Sequence, residues 1–118
     1  MAIRPLPGYP MPVGEKYLVI ADYLGPLSYV NGTGDKLVAG FGGGLNQGGI
    51  EFVSGGNSVS GTYNIKIFYP SAATTSSTSQ PGANASVIIK WYVLATGLEV
   101  ANATNLSAEV VRLRIDTV

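Results

Sequence analysis

Seven carboxylates, Glu15, Asp22, Asp35, Glu51, Glu99, Glu109 and Asp116, are the groups of this 118-residue chain best suited to moving protons, because the sequence has neither histidine nor cysteine. Two acids brought into one cleft could serve as general acid and as base or nucleophile, as in glycoside hydrolysis. The acids are scattered singly, and no pair is marked out by spacing. Asp35 falls in a predicted turn, while Asp22 and Asp116 fall near the ends of predicted strands, where carboxylates are commonly solvated or stabilise turns. The same scatter offers no calcium-loop spacing. Without histidine and cysteine the chain also lacks the commonest general base, thiolate nucleophiles, disulfides and the usual transition-metal ligands. The reading is of a protein that is not an enzyme, with no catalytic residue, no metal and no cofactor.

The glycines do not build a nucleotide site. No glycine is followed by Lys and then Ser or Thr, and Gly40 and Gly42 are not completed to a dinucleotide fingerprint because Leu45 stands at its last position. They are read instead as turn and bulge residues that need positive φ. Sequons begin at Asn31, Asn84, Asn102 and Asn105, and reflect the abundance of Asn, Ser and Thr. The seven tyrosines and Trp91 could include a sugar-stacking platform, but their frequent period-two placement favours a core.

Seven basic and seven acidic residues cancel, and charged residues make up only 12% of the chain against 46% hydrophobic. No run of Lys or Arg tracks a phosphate backbone, so nucleic acid is not an expected partner. No apolar stretch reaches the roughly 20 residues that span a bilayer, so no membrane is expected either. The segment Met1 to Gly14 lacks the hydrophobic core of a signal peptide, from which synthesis and retention in a cytoplasm are expected.

The elements that must position these residues read as strands. Pro5, Pro7, Pro10 and Pro12 fix φ through residues 1–14, predicting an extended proline-rich arm that precedes a domain over 15–118. Its apolar side chains, Ile3, Leu6, Tyr9, Met11 and Val13, would gain by lying on a neighbouring subunit. From Glu15 the period is two, with Tyr17, Val19, Ala21 and Tyr23 on one face. Leu27 to Val30 and Leu37 to Phe41 are predicted to pair as a hairpin across Asn31 to Asp35. Further strands are predicted at Ile50 to Ser54, Thr62 to Tyr69, Ser86 to Ala95 and Glu109 to Thr117, with Gly42 to Gly49 as a turn cluster and Ser71 to Asn84 as a long exposed loop. The strand from Ser86 is apolar on both faces, Val87, Ile89, Trp91 and Val93 on one and Ile88, Tyr92 and Leu94 on the other. The second face is therefore expected to meet another sheet or another chain. Eight or so strands without a helix predict an all-β single domain, a β-sandwich or jelly roll.

The stretch Lys90, Trp91, Tyr92, Val93, then Ala95, Thr96, Gly97, Glu99, Val100, then Asn105 to Val110 resembles the small virion proteins that decorate or cement the heads of tailed bacteriophages. The low charge, the apolar proline-rich start and the short glycine-punctuated strands match that style. The resemblance covers about a third of the chain and brings no catalytic motif. It implies a sandwich or jelly-roll module on the outside of an icosahedral capsid. Its partners would be the major capsid protein and itself, as a homodimer or homotrimer over junctions between capsid subunits. The expected contact residues are Ile3, Arg4, Leu6, Tyr9, Met11, Val13, Ile88, Tyr92 and Leu94. Three other readings share these fold signals: a carbohydrate- or receptor-binding fibre or spike module, another head or connector component of the virion, and a hydrolase that unites two carboxylates in one cleft.

Overall fold

The computed structural model describes residues 2–14, 16–38, 49–69 and 86–117. Residues 39–41 of the predicted strand Leu37 to Phe41, residues 42–48 of the predicted turn cluster Gly42 to Gly49 and the loop Ser71 to Asn84 lie outside the described residues. The chain is all-β, with strands β1 (Ala2–Pro5), β2 (Met11–Val13), β3 (Lys16–Leu24), β4 (Asp35–Val38), β5 (Ile50–Ser54), β6 (Tyr63–Phe68), β7 (Ser86–Val93) and β8 (Val110–Thr117). They form two antiparallel sheets. A five-stranded sheet runs β1-β3-β8-β5, with β2 also on β3, and a three-stranded sheet runs β4-β7-β6. Both contribute their inner faces to one core, so the molecule is a β-sandwich; nothing in the strand order marks it as a jelly roll.

Period-two patterning builds that core directly. Val19, Ala21 and Tyr23 of β3 and Val111, Leu113 and Ile115 of β8 are fully buried on one sheet, facing Val87, Ile89 and Trp91 of β7 on the other. The β3–β8 pair is the backbone of the larger sheet, in register over eight residue pairs from Tyr17↔Thr117 to Leu24↔Val110. On β5 the register shifts between Ile50 and Phe52, so that Ile50 opposes Thr117 and Phe52 opposes Asp116. This bulge breaks the alternation. It turns both Ile50 and Val53 inward and leaves Phe52 half exposed.

Two expectations are corrected. The first is the free proline-rich arm over residues 1–14. Residues 2–5 pair with Leu24 to Ala21, the Leu6 N–H donates to the Ile20 carbonyl at 2.9 Å, and residues 11–13 pair with Leu18 to Lys16. The segment is thus one edge lane of the larger sheet, interrupted by a turn around Gly8, whose φ is +88°. Prolines did not prevent this, because an edge strand needs only one side of its backbone to pair. Burial of Ile3 in the core supplies the driving force.

The second correction concerns the hairpin. Gly32 and Gly34 adopt the positive φ expected of the turn, at +83° and +77°. The strand that follows nevertheless pairs with β7, Asp35 opposite Ile89, and not with Leu27 to Val30. Residues 26–29 instead bond to the segment before β8: the Tyr29 N–H donates to the Thr104 carbonyl, the Ala103 N–H to the Tyr29 carbonyl and the Leu106 N–H to the Pro26 carbonyl, at 3.0, 2.8 and 2.8 Å. These two irregular segments close one end of the sandwich over buried Tyr29, Val100 and Leu106. Their approach is close enough that a Cβ on Gly25 would lie 2.5 Å from that of Leu106.

Because Ile3 belongs to the core, Ile3→Ala should lower unfolding free energy by about 2 kcal/mol, the lower end for a large aliphatic residue because the site lies at the sheet edge. Urea unfolding of the two proteins measures this; an unchanged midpoint would restore the detached arm.

Candidate functional site

The carboxylates that sequence marks as the reactive groups go to separate places. Asp22 accepts from Arg112 Nε at 2.6 Å, Glu51 from Lys16 Nζ at 2.9 Å, and Asp116 lies 3.6 Å from Arg114 Nε. Glu109 accepts from the Ser60 hydroxyl. Among the described residues no three acids gather where a metal ion could be held.

Asp35 and Glu99 have a structural task that sequence reasoning missed. The Trp91 indole Nε1–H donates to the Tyr23 hydroxyl at 2.9 Å, and that hydroxyl donates to Asp35 Oδ2 at 2.6 Å. The Trp91 backbone N–H donates to the Tyr29 hydroxyl at 3.1 Å, and that hydroxyl donates to Glu99 Oε2 at 2.7 Å. Glu99 also accepts from the Gly32 N–H at 2.9 Å. Burial, reinforced by the neighbouring carboxylate, pushes both tyrosine hydroxyls far above the usual phenol range. The Tyr29 hydrogen bond holds the Glu99 carboxyl below the usual glutamate range. These are chains of neutral donors ending on rim carboxylates; the first ties β7 and β4 to β3 across the core, and the second ties β7 to the irregular segments at the end of the sandwich.

The surface feature with the shape of a site lies on the outer face of the five-stranded sheet. A groove of about 320 Å³ is lined by Val13, Lys16, Tyr17, Leu18, Glu51, Phe52, Arg114 and Asp116. Strand register explains the set: Leu18 and Phe52 flank Asp116 from opposite sides, and Met11 lies beside Leu18. Val13, Phe52 and Met11 are 55%, 50% and 41% exposed, a run of apolar side chains uncommon on a lone soluble domain. Its charges are mutually paired, Lys16 with Glu51 and Arg114 with Asp116. The groove thus offers apolar area with few free polar groups. Phe52 was invisible as a surface residue in sequence because the bulge that turns it outward has no residue signature.

The expected contact residues do not share one surface. Ile3 is buried and can touch no partner, a correction that follows from its place in β1. Arg4, exposed, faces Asp22 on the outer face of the large sheet, with Met11 and Val13 further along the same edge. Leu6 and Tyr9 are half-buried around the turn between them. Ile88 and Tyr92 are half-buried on the outer face of the small sheet, across the sandwich, and Leu94 is exposed just beyond β7. Basic residues scattered in sequence are gathered there: Lys36 pairs in register with Ile88, and Lys66 with Lys90. Lys66 and Lys90 sit at outward phases of predicted strands, so their faces were legible; Lys36 falls just before the predicted strand Leu37 to Phe41, and which strands adjoin was not legible.

No family model, no curated protein and no solved structure matches the chain.

Tyr23→Phe strands the buried indole N–H and should cost about 1–3 kcal/mol. Tyrosines with raised pKa stabilise the fold fully below the unfolded value near pH 10 and less as pH rises above it. Each should therefore lower stability by about 1.4 kcal/mol per pH unit there, with Tyr23→Phe and Tyr29→Phe each removing one share of that slope. Glu99 has the opposite sign: its contribution is present at neutral pH and is lost as pH falls below the ordinary glutamate range, a dependence that Glu99→Gln abolishes. Urea midpoints across pH 3 to 11.5 read both limbs.

Proposed function

We propose that this chain is a non-enzymatic virion structural protein, a decoration or cement protein of a tailed-phage head, and that it docks on the capsid through the outer face of its five-stranded sheet. The observation that carries the reading is the groove at Leu18 and Phe52, where apolar side chains stand exposed beside charges that already neutralise one another. A large apolar side chain gains about 1.5–3 kcal/mol on full burial, and Met11, Val13 and Phe52 have about half of that still to gain. The exposed ion pairs contribute little where they are and can be rearranged against a partner at small cost. The resemblance of the Lys90 to Val110 stretch to decoration proteins, read from the sequence, is the ground for taking a capsid as that partner.

The work is mechanical. Binding across a junction between major capsid subunits favours the assembled shell by the differential free energy of binding to it. Assembly of the chain with itself, as a homodimer or homotrimer on the capsid exterior, lets many modest contacts reinforce one another. Carbohydrate recognition is the rival use of the same groove, and Phe52 could stack on a sugar ring. Hydroxyl groups need unengaged donors and acceptors, however, and the four charged side chains of the lining are paired with each other, which leaves the Tyr17 hydroxyl as its neutral polar group.

Capsids lacking the chain should bind it saturably in co-sedimentation, and their heat disruption temperature should rise. Phe52→Asp should abolish both effects while leaving the chain folded. Deleting residues 1–14 is not a suitable control, since Ile3 is part of the core. No sedimentation with capsids would overturn the capsid reading, and glycan binding abolished by Phe52→Asp would put the carbohydrate reading in its place.

A further inference from the structure

The outer face of the three-stranded sheet holds three of the four lysines of the chain, Lys36, Lys66 and Lys90. Lys66 and Lys90 are directly opposed across β6 and β7, an arrangement that is unfavourable for like charges on one sheet face. Each reaches diagonally to an aromatic ring, Lys66 Nζ to 4.5 Å from the Tyr92 centroid and Lys90 Nζ to 5.0 Å from that of Phe68. These cation–π contacts fix the ammonium groups on the surface without neutralising them.

Among the described residues none of the three lysines forms an ion pair. The carboxylate felt by Lys90, that of Glu99, is already engaged by Tyr29 and Gly32. Residues 39–48 and 70–85, which follow β4 and precede β7, contain no Asp or Glu. On the other outer face Lys16, Arg112 and Arg114 are matched to Glu51, Asp22 and Asp116, and of the basic residues there Arg4 alone, at the sheet edge, forms no ion pair among the described residues.

We propose that this face is a second docking surface, and that its occupant is an acidic segment of a partner protein lying extended across β7. Successive rows of the sheet, Lys36 to Ile88 and Lys90 to Lys66, are two residues apart, about 6.6 Å, which is also the spacing of alternate side chains in an extended peptide. Alternate carboxylates of such a segment would meet successive rows, with Ile88 beneath it as apolar floor. Nucleic acid is the poorer fit. The rings a base would stack on are covered by ammonium groups, and no arginine on this face offers the two-pronged geometry suited to phosphate. The inference does not depend on what covers the five-stranded sheet.

The test is fluorescence anisotropy of a labelled octaglutamate peptide with the purified full chain at low and at elevated salt. The chain should bind the peptide at low salt and release it as salt rises. The double substitution Lys66→Gln and Lys90→Gln should weaken binding by about tenfold, Lys66→Arg with Lys90→Arg should retain it, and Lys16→Gln, on the opposite face, should leave it unchanged. Absence of binding at low salt, or equal binding by the double glutamine variant, would overturn the proposal. Tighter binding of a twelve-residue oligothymidylate than of the peptide would overturn the acidic-segment occupant in favour of single-stranded nucleic acid. A circular dichroism melt of each variant confirms the fold in every arm.

Discussion

The indole N–H of Trp91 cannot go unpaired in a core that excludes water, and the sandwich is arranged around its partner. Trp91 is fully buried on β7, tilted against Tyr23 of β3 at a centroid distance of 5.6 Å and edge-on to Tyr63 of β6 at 6.1 Å. Aromatic side chains fill volume well, but each polar tip brings a hydrogen-bonding debt of about 1–3 kcal/mol if left unmet. Here one tip meets another, and each tyrosine hydroxyl hands its proton outward to a carboxylate near the surface. Asp35 must therefore stand at the start of β4, and Glu99 beside the turn that holds Gly32. The register of β4 on β7 and the docking of residues 26–31 against 99–106 are both tied to one tryptophan.

That constraint explains which parts of the fold were legible in sequence. β3, β5, β6, β7 and β8 were readable within a residue or two, because burying one face of a strand imposes a period of two on the residues themselves. Nothing in the residues announces a partner strand, so the placement of β4 on β7 was missed, and with it the gathering of the lysines. Residues 2–13 were misread for a different reason. Proline excludes the interior of a sheet but not its edge, and which of these applies depends on where the sheet ends. The roles of Asp35 and Glu99 were hidden because a carboxylate that stabilises a buried hydroxyl looks, in sequence, like any surface acid.

The scarcity of charge acquires a physical meaning once the faces are separated. On the large sheet Lys16, Arg112 and Arg114 are paired with acids, and an apolar groove stands exposed beside them among the described residues. On the small sheet Lys66 and Lys90 face each other and Lys36 stands beside Ile88, with no ion pair to any of the three among the described residues. A sandwich has two outer faces, and here their chemistries are complementary to different surfaces. A protein that met only water would gain from neither arrangement.

Rigidity connects the core to these faces. A core closed by satisfied polar chains has few alternative packings, since any rearrangement that separates Trp91 from Tyr23 or Tyr29 exposes an unpaired donor to apolar surroundings. The strands that carry Leu18, Lys66 and Lys90 are the strands that carry Tyr23, Tyr63 and Trp91, and Phe52 stands on β5, joined to β3 through β8. Surface side chains are thereby held at fixed spacing by residues one position away pointing inward. Association with a partner then forgoes the ordering cost that a flexible loop would bear. In a protein whose proposed work is to brace an assembly, that stiffness is itself functional: a clamp transmits load only as well as its own two sheets resist sliding, and here the Trp91–Tyr23 hydrogen bond and the Tyr69 hydroxyl on the Val53 backbone link them.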